Sequence, residues 1–423
     1  MRAPPAASTS LLDWQQRLGE RAPVALISAA CGPGGRQHLL PLVEGPPLVV
    51  PYPGRPGHRK ALARLRETLS AIAIGGGGVE PAGSGWILHL AYDFAHVFEP
   101  AVPCLQPALD EPLALLWRYR ALAVQGAEAG TEPRWRGDVD RARAQMASAR
   151  ASDPAPALPP LAVDEDDPAA FLAGVERIHD YLRAGDVFQV NLSRAWRARA
   201  GRPIDPHALA LALNAANPAP YAALARHGDY ALVSSSPERL VRVHGGRIET
   251  RPIAGTRRRD ADPAHDAELL AELKRDPKER AEHIMLIDLE RNDLGRLCVP
   301  GSVVVDELGA IESYAHVHHL VSNVSGELRA GVDAWSLLRA VFPGGTITGC
   351  PKVRCLQIIA ELEGVGRGAY TGTLGWIDDA GACDLNILIR TIAVKGDELL
   401  LRAGSGIVAD SVGERELAET RAK

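Results

Sequence analysis

YALVSSSPERLVRVHGGRIETRPIAGTRRR (Tyr230–Arg259) reads as two strand candidates, 230–235 and 239–252, the second folded back on itself by His244-Gly245-Gly246. Strands joined through so short a break must run antiparallel, because a parallel pair needs a crossover of about a dozen residues or more. The same arrangement recurs at Lys395-Gly396-Asp397, between candidates at 384–395 and 398–409. Further apolar runs at 187–198, 302–307, 317–328 and 370–377 read as strands, and helical periodicity occupies 264–294, 332–341 and 352–363. The pattern predicts an α+β protein with mainly antiparallel pairing and helices packed outside.

Upstream, Ala151–Asp167 (ASDPAPALPPLAVDEDD) combines four prolines with an acidic run, which keeps a backbone extended and solvated. It is read as a linker, dividing an N-terminal α/β region (1–150) from a larger region (168–423). Directly after it, Asp167 can cap a helix with Pro168 in its first turn, and Phe171, Val175, Ile178 and Leu182 follow at helical spacing up to Gly185. The N-terminal region holds strand-like PPLVVP (Pro46–Pro51), GWILHLAY (Gly85–Tyr92) and LALLWRYRALAV (Leu113–Val124).

Composition narrows the function. The chain has 423 residues, a formal charge of −5 and 46 % hydrophobic residues. A near-neutral balance without a basic face argues against a duplex nucleic-acid binder, and ordinary apolar content argues against broad disorder. The six cysteines are scattered without metal-ligand spacing and read as reduced core residues. No run of about 18 apolar residues is present, so a soluble, cytoplasmic protein without membrane contact is expected.

Several segments could carry chemistry. FPGGTITGCPK (Phe342–Lys352) imitates a phosphate loop, but Cys350 and Pro351 separate Gly349 from Lys352 and Pro351 removes an amide donor. A glycine-rich turn starting a helix is the better reading, with Lys352 as an anion contact near the first turn. AGSGIVADS (Ala403–Ser411) is a second such turn, whose Gly404 and Gly406 allow close approach. Carboxylates accumulate on the helix Lys278–Asp293 (Glu279, Glu282, Asp288, Glu290, Asp293) and near the end of the chain (Glu414, Glu416, Glu419). These are ordinarily solvated faces; if the helices converged, they would suit a hard cation rather than zinc. In AHVHHLVS, strand alternation sends His316 and His318 one way and His319 the other. Glu238, after Pro237, is either a solvated turn residue or a buried general acid.

FQVNLSR (Phe188–Arg194), SSSPERL (Ser234–Leu240), ETRPIAGTRRR (Glu249–Arg259), RAEHIMLIDLERNDLGR (Arg280–Arg296), HVHHLVS (His316–Ser322), FPGGTITGCPKVR (Phe342–Arg354), CDLNILIRT (Cys383–Thr391) and AGSGIVADS stand in this order. Together they resemble the chorismate-utilising enzymes over nearly all of 168–423. The resemblance implies a large α/β sandwich of two mainly antiparallel sheets with helices outside, and a Mg²⁺-dependent enzyme acting on chorismate. Carried over by motif position, Glu282 and Glu419 would ligate the metal with Glu416 close by, and Glu238 would protonate the departing hydroxyl. His319 and Thr256 would belong to the catalytic set. Gly255 would line the ring pocket, and Lys352, Arg390 and the Gly404-Ser405-Gly406 segment would hold carboxylates.

Within that family, water-using members resemble one another in having a lysine base where this chain has Gln189. A neutral amide cannot deprotonate water, so ammonia is the expected nucleophile, delivered in this family by a separate glutamine amidotransferase subunit. FPGGTITG, AYDFAHVFEP and LNILIRT look like aminodeoxychorismate synthase, which serves 4-aminobenzoate and folate synthesis. Ala254 instead matches anthranilate synthase, since many aminodeoxychorismate synthases have a nucleophilic lysine there. The expected product is 4-amino-4-deoxychorismate by a route without that lysine adduct, water or another nucleophile adding first, with anthranilate as the alternative. A catalytically silent relative would be expected to have lost Glu238, Glu282, His319 or Glu419, and all four are present.

Overall fold

A computed structural model describes residues 10–27, 37–126, 133–149, 155–260, 262–314 and 317–423, without the side chains of residues 37, 254, 256 and 277–280. The N-terminal part contains α1 (Leu11–Leu18), β1 (Val24–Ile27), β2 (Gln37–Val43), β3 (Leu48–Val50), α2 (His58–Ser70), β4 (Gly85–Leu90), α3 (Ala95–Phe98), β5 (Ala114–Gly126), β6 (Arg134–Gly137) and α4 (Val139–Ala147). The middle contains β7 (Val163–Glu165), α5 (Pro168–Arg183), β8 (Gln189–Arg199), α6 (Pro206–Ala216), β9 (Tyr221–His227), β10 (Tyr230–Ser236), β11 (Arg239–His244), β12 (Arg247–Arg251) and β13 (Ile253–Arg258). Then follow α7 (Pro263–Arg275), α8 (Pro277–Gly295), β14 (Val304–Ser313), β15 (Val317–Glu327), α9 (Ala334–Val341), β16 (Gly349–Cys350) and α10 (Lys352–Glu363). The chain closes with β17 (Thr373–Asp378), β18 (Cys383–Asn386), β19 (Thr391–Lys395), β20 (Glu398–Ile407) and α11 (Gly413–Ala422).

The described strands pair antiparallel with one another, and one isolated parallel bridge, Pro107 with Gly366, lies outside them. One sheet runs β15–β12–β11–β18–β17–β4–β5, and the other runs β2–β1–β9–β10–β19–β20–β8. They are joined where β5 pairs with β2. Between the sheets lies an apolar core in which Ile87, Trp117, Leu374 and Trp376 share a cluster with Ala225, Leu232, Ala393 and Leu400. Helices cover both outer faces: α2, α9 and α10 through Leu65, Leu69, Leu337, Leu338, Leu356 and Ile359, and α1 and α6 through Leu11, Leu18 and Leu209. Each such fully buried leucine contributes about 1.5–3 kcal/mol of transfer free energy.

Two departures from the sequence reading position the site. The helix expected over 264–294 is two helices, because the residue before a proline avoids helical dihedrals; Asp276, before Pro277, is extended at φ −60°, ψ 113°. The strand expected over 384–395 is also two. β18 belongs to the first sheet and β19 to the second, and residues 387–390 cross between them, with Arg390 at φ 51°. The run 239–252 divides into β11 and β12 at the His-Gly-Gly turn, as that turn requires.

The Pro-rich segment is tied down at its end. β7 pairs with β8, and the Asp166 carboxylate accepts from the Ala195 N–H at 2.8 Å. Asp167 caps α5 as its sequence predicts, accepting from the Ala169 N–H, and α5 buries Phe171, Val175 and Ile178. Strands on either side of the segment pair directly, β1 with β9 and β4 with β17. The five described cysteines are unbridged; Cys31 lies outside the described residues.

Candidate active site

The candidate residues gather where β8 and β20 approach the β10–β11 junction, β15 and the 387–390 crossover, since Lys423, bonded to Gly404 of β20, and Arg390 of the crossover both act on Glu238 and His319. Glu238 sits at that junction and is 5 % exposed, which overturns the solvated-turn alternative. Its Oε1 accepts a hydrogen bond from Thr346 Oγ1 at 2.7 Å. Burial pushes the carboxyl up to about 7, against the opposing pull of the Thr346 hydroxyl and the Lys423 and Arg390 charges. It is therefore half protonated near neutrality, as a proton donor must be.

His319, buried on β15, lies on the opposite face of the strand from His318, which hydrogen-bonds Ser313 and Asp266. His316 lies outside the described residues. Burial lowers the His319 imidazole to about 3, assisted by the Arg390, His318 and Lys423 charges, so the ring is neutral at physiological pH. A backbone hydrogen bond with Gly255 orients it. Gly255 is the irregular residue between Ala254 and Thr256 in the β13–β15 ladder, at φ 62°, where a side chain would be strained. Thr256 pairs with His319 in register, and its side chain lies outside the described residues.

The floor is made by β8 and β20. Gln189 Nε2 donates to Glu282 Oε1 on α8 at 2.7 Å. A Cβ on Gly406 would stand 2.2 Å from Gln189 Nε2 and 3.4 Å from Glu282 Oε1, so only glycine leaves this corner open. Ser405 alternates to the other face of β20, where its hydroxyl donates to buried Glu416 on α11. Glu419, three residues along α11, pairs with Lys423 Nζ at 2.6 Å, and that ammonium also donates to the Gly404 carbonyl at 3.0 Å. The two acidic helices thus flank the same glycine segment. Their donors are all carboxylate oxygens, the chemistry that a hard cation takes. Among the described residues, however, no three His, Cys, Asp or Glu side chains form a ready cluster for a metal ion.

Lys352 starts α10, as expected, and its ammonium pairs with Asp293 of α8. Beside that pair, buried Glu290 is raised to about 8, by burial first and by Asp293 second. Arg390 is half-buried, and its charge acts on both Glu238 and His319.

The sequence reading missed four contributors. Tyr370, buried, places its hydroxyl 2.8 Å from the position a Gly404 Cβ would take, and Asn191 Oδ1 is 2.7 Å from the same point. Thr346 holds Glu238, and Lys423 reaches the Gly404 carbonyl. Only Asn191 carried a usable signal, two residues from Gln189 on a strand and so on the same face.

The family described as chorismate binding enzyme matches residues 53–423. A Synechocystis protein named anthranilate synthase component I-like is 42 % identical over 352 residues, 81 % of this chain and 72 % of its own. Aminodeoxychorismate synthase component 1 of Bacillus subtilis is 49 % identical over 250 residues, 59 % of this chain, and the match spans only 53 % of the relative. The crystal structure of anthranilate synthase component I from Streptococcus pneumoniae TIGR4 superposes with a TM-score of 0.75 at 28 % identity, covering 100 % of this chain and 92 % of that one.

Proposed function

The chain belongs to the chorismate-binding enzyme family, and from that premise we propose that it aminates chorismate with ammonia, giving 4-amino-4-deoxychorismate. The observation that carries this reading is the pairing of a buried acid, Glu238, held near neutrality, with a neutral amide, Gln189, where a water-activating base would be needed. A hydroxyl leaves poorly unless protonated, and ammonia attacks without a base.

In the overall exchange, the C–O bond breaks as Glu238 gives its proton to the departing oxygen, releasing water. The C–N bond forms from the nitrogen lone pair, and the proton shed by the new ammonium returns to the Glu238 carboxylate. Arg390, Lys423 and the Gly404–Gly406 backbone hold substrate carboxylates, Lys352 being engaged by Asp293 instead, and neutral His319, with Thr256 beside it in register, packs along the ring pocket near Gly255. Glu282 and Glu419 would hold Mg²⁺, with Glu416 buttressing through Ser405. The ion would offset carboxylate charge as it builds up. A separate glutamine amidotransferase would supply the ammonia, consistent with relatives named component I.

Ala254 favours a second reading, anthranilate as product, and relatives bear both names, anthranilate synthase component I more often than aminodeoxychorismate synthase component 1. Incubation with chorismate, Mg²⁺ and an ammonium salt at alkaline pH, with aminodeoxychorismate lyase in half the sample, separates them. Lyase-dependent 4-aminobenzoate is expected; anthranilate formed without lyase would establish the second reading instead. Adding a glutaminase subunit should allow glutamine to replace ammonium.

A further inference from the structure

β10 ends at Ser236, and Pro237 has no N–H, so the first main-chain donor beyond the ladder is that of Glu238, which is buried and needs an acceptor off the strand. It takes the Ser236 hydroxyl, at 3.3 Å. That hydroxyl, itself fully buried, donates in turn to the Ile387 carbonyl, while the Ile387 N–H donates to the Glu238 carbonyl at 3.0 Å. Both peptide groups of Glu238 are thereby tied to one residue of the crossover, the carbonyl directly and the N–H through Ser236. The crossover is fastened at other points as well. The Ser235 N–H donates to the Arg390 carbonyl at 3.0 Å, and the Ser234 and Thr391 hydroxyls bond at 2.8 Å. Leu388 accepts from the Thr371 N–H at 2.7 Å and donates to the Gly372 carbonyl at 2.8 Å. Residue 387 is therefore a fixed reference, three residues from Arg390.

We infer that Ser236 is a positioning residue for the proton transfer: its hydroxyl sets where the Glu238 carboxyl stands relative to Arg390, and so relative to the substrate that Arg390 holds. The inference rests on the reading of Glu238 as the proton donor. The Thr346 hydroxyl steers the carboxyl itself, and Ser236 steers the backbone that carries it. A proton passes only between heavy atoms about 2.6–3.2 Å apart, so a small shift of the acid costs far more in rate than in substrate binding. Without the hydroxyl, the Glu238 N–H becomes a buried donor with no acceptor, and the turn relaxes to pair it elsewhere.

The test is steady-state kinetics of the full chain with chorismate, Mg²⁺ and an ammonium salt at fixed pH. Ser236→Ala is expected to lower kcat about tenfold or more, with the KM for chorismate changed by less than about threefold, because Ser234 and Ser235 still fasten the segment that carries Arg390. Ser236→Thr and Ser236→Val add the same bulk and differ by one hydroxyl, and kcat is expected to be about fivefold or more higher in the Thr variant. That pair decides the matter if the Ala variant fails to fold. In a Glu238→Gln background, Ser236→Ala should cause no further fall in kcat, because the group it positions is gone; a serine that only stabilises the fold would leave the two losses multiplying. A kcat within about twofold of the parent in Ser236→Ala, equal rates in the Thr and Val variants, or a full further loss in the double variant overturns the positioning role and leaves Glu238 as the acid. Parental turnover in Glu238→Gln, or no ammonium-dependent turnover in the unsubstituted protein, overturns the reading beneath it and the positioning role together.

Discussion

Glu238 and Glu282 show how little the residue type says before its surroundings are known. Both are glutamates near the middle of polar motifs, yet one is buried against Thr346 with its pKa pushed to about 7 and the other faces Gln189 across a glycine gap. If Glu238 is the proton donor, its acid form is the active one. The kcat/KM for chorismate, measured at constant free ammonia, is expected to fall as pH rises through about 7. Glu238→Gln should remove that limb and lower turnover by about 10²–10⁴-fold; a variant with a parental pH profile would refute the assignment. Glu282→Gln removes one anionic oxygen from the proposed cation site. The Mg²⁺ concentration needed for half-maximal activity is expected to rise about tenfold or more, and a Mg²⁺ titration of both proteins checks it. The motif around each residue was legible in sequence, whereas burial, which sets the protonation state, was not.

At the scale of the element, the loop 342–348 matters most, because it carries the Thr346 hydroxyl to Glu238 and is pressed against α8. A Cβ on Gly345 would stand 2.4 Å from Leu289 Cδ2 and 3.3 Å from Glu290 Oε1. Gly345→Ala is therefore expected to destabilise the fold by about 1–3 kcal/mol through overpacking and to lower kcat by displacing Thr346. Urea unfolding and steady-state kinetics on the same sample check both, and an unperturbed kcat would separate the loop from the chemistry. Strands and turns in this part of the chain were legible because alternation and His-Gly-Gly or Lys-Gly-Asp turns are local signals. The split between β18 and β19 was not. Both halves are apolar, and the break exists because each half pairs in a different sheet, a demand made by partners distant in sequence.

Across the whole molecule, the segments before and after the Pro-rich stretch build the sheets together and meet through buried acids. Tyr52 and Gly368 N–H donate to Asp93, while Tyr230 and Ala369 N–H donate to Glu111. Burial raises Asp93 to about 6 and Glu111 to about 8. Both folded-state values exceed the ordinary carboxyl range, so their contribution to stability is fully present below about pH 4 and is lost as pH rises through 6 and then 8. Glu111→Gln should flatten the alkaline part of that decline. Denaturation midpoints from pH 5 to 9 check this, and parallel curves for the two proteins would show that Glu111 does not titrate in the folded state. The sequence by itself determined the antiparallel α+β class, the capped helix after Asp167 and the turns between neighbouring strands, because turn chemistry, capping and apolar period act between near neighbours; the residues expected around the site came from the resemblance to a family instead. Only the tertiary structure decided that Asn191, Thr346, Tyr370 and Lys423 lie beside the candidate residues, that Lys352 is engaged by Asp293, that Ser405 turns to Glu416, and that burial raises Glu238 to about 7. Those outcomes depend on which strands meet and what water they exclude, and both are properties of contacts between segments hundreds of residues apart.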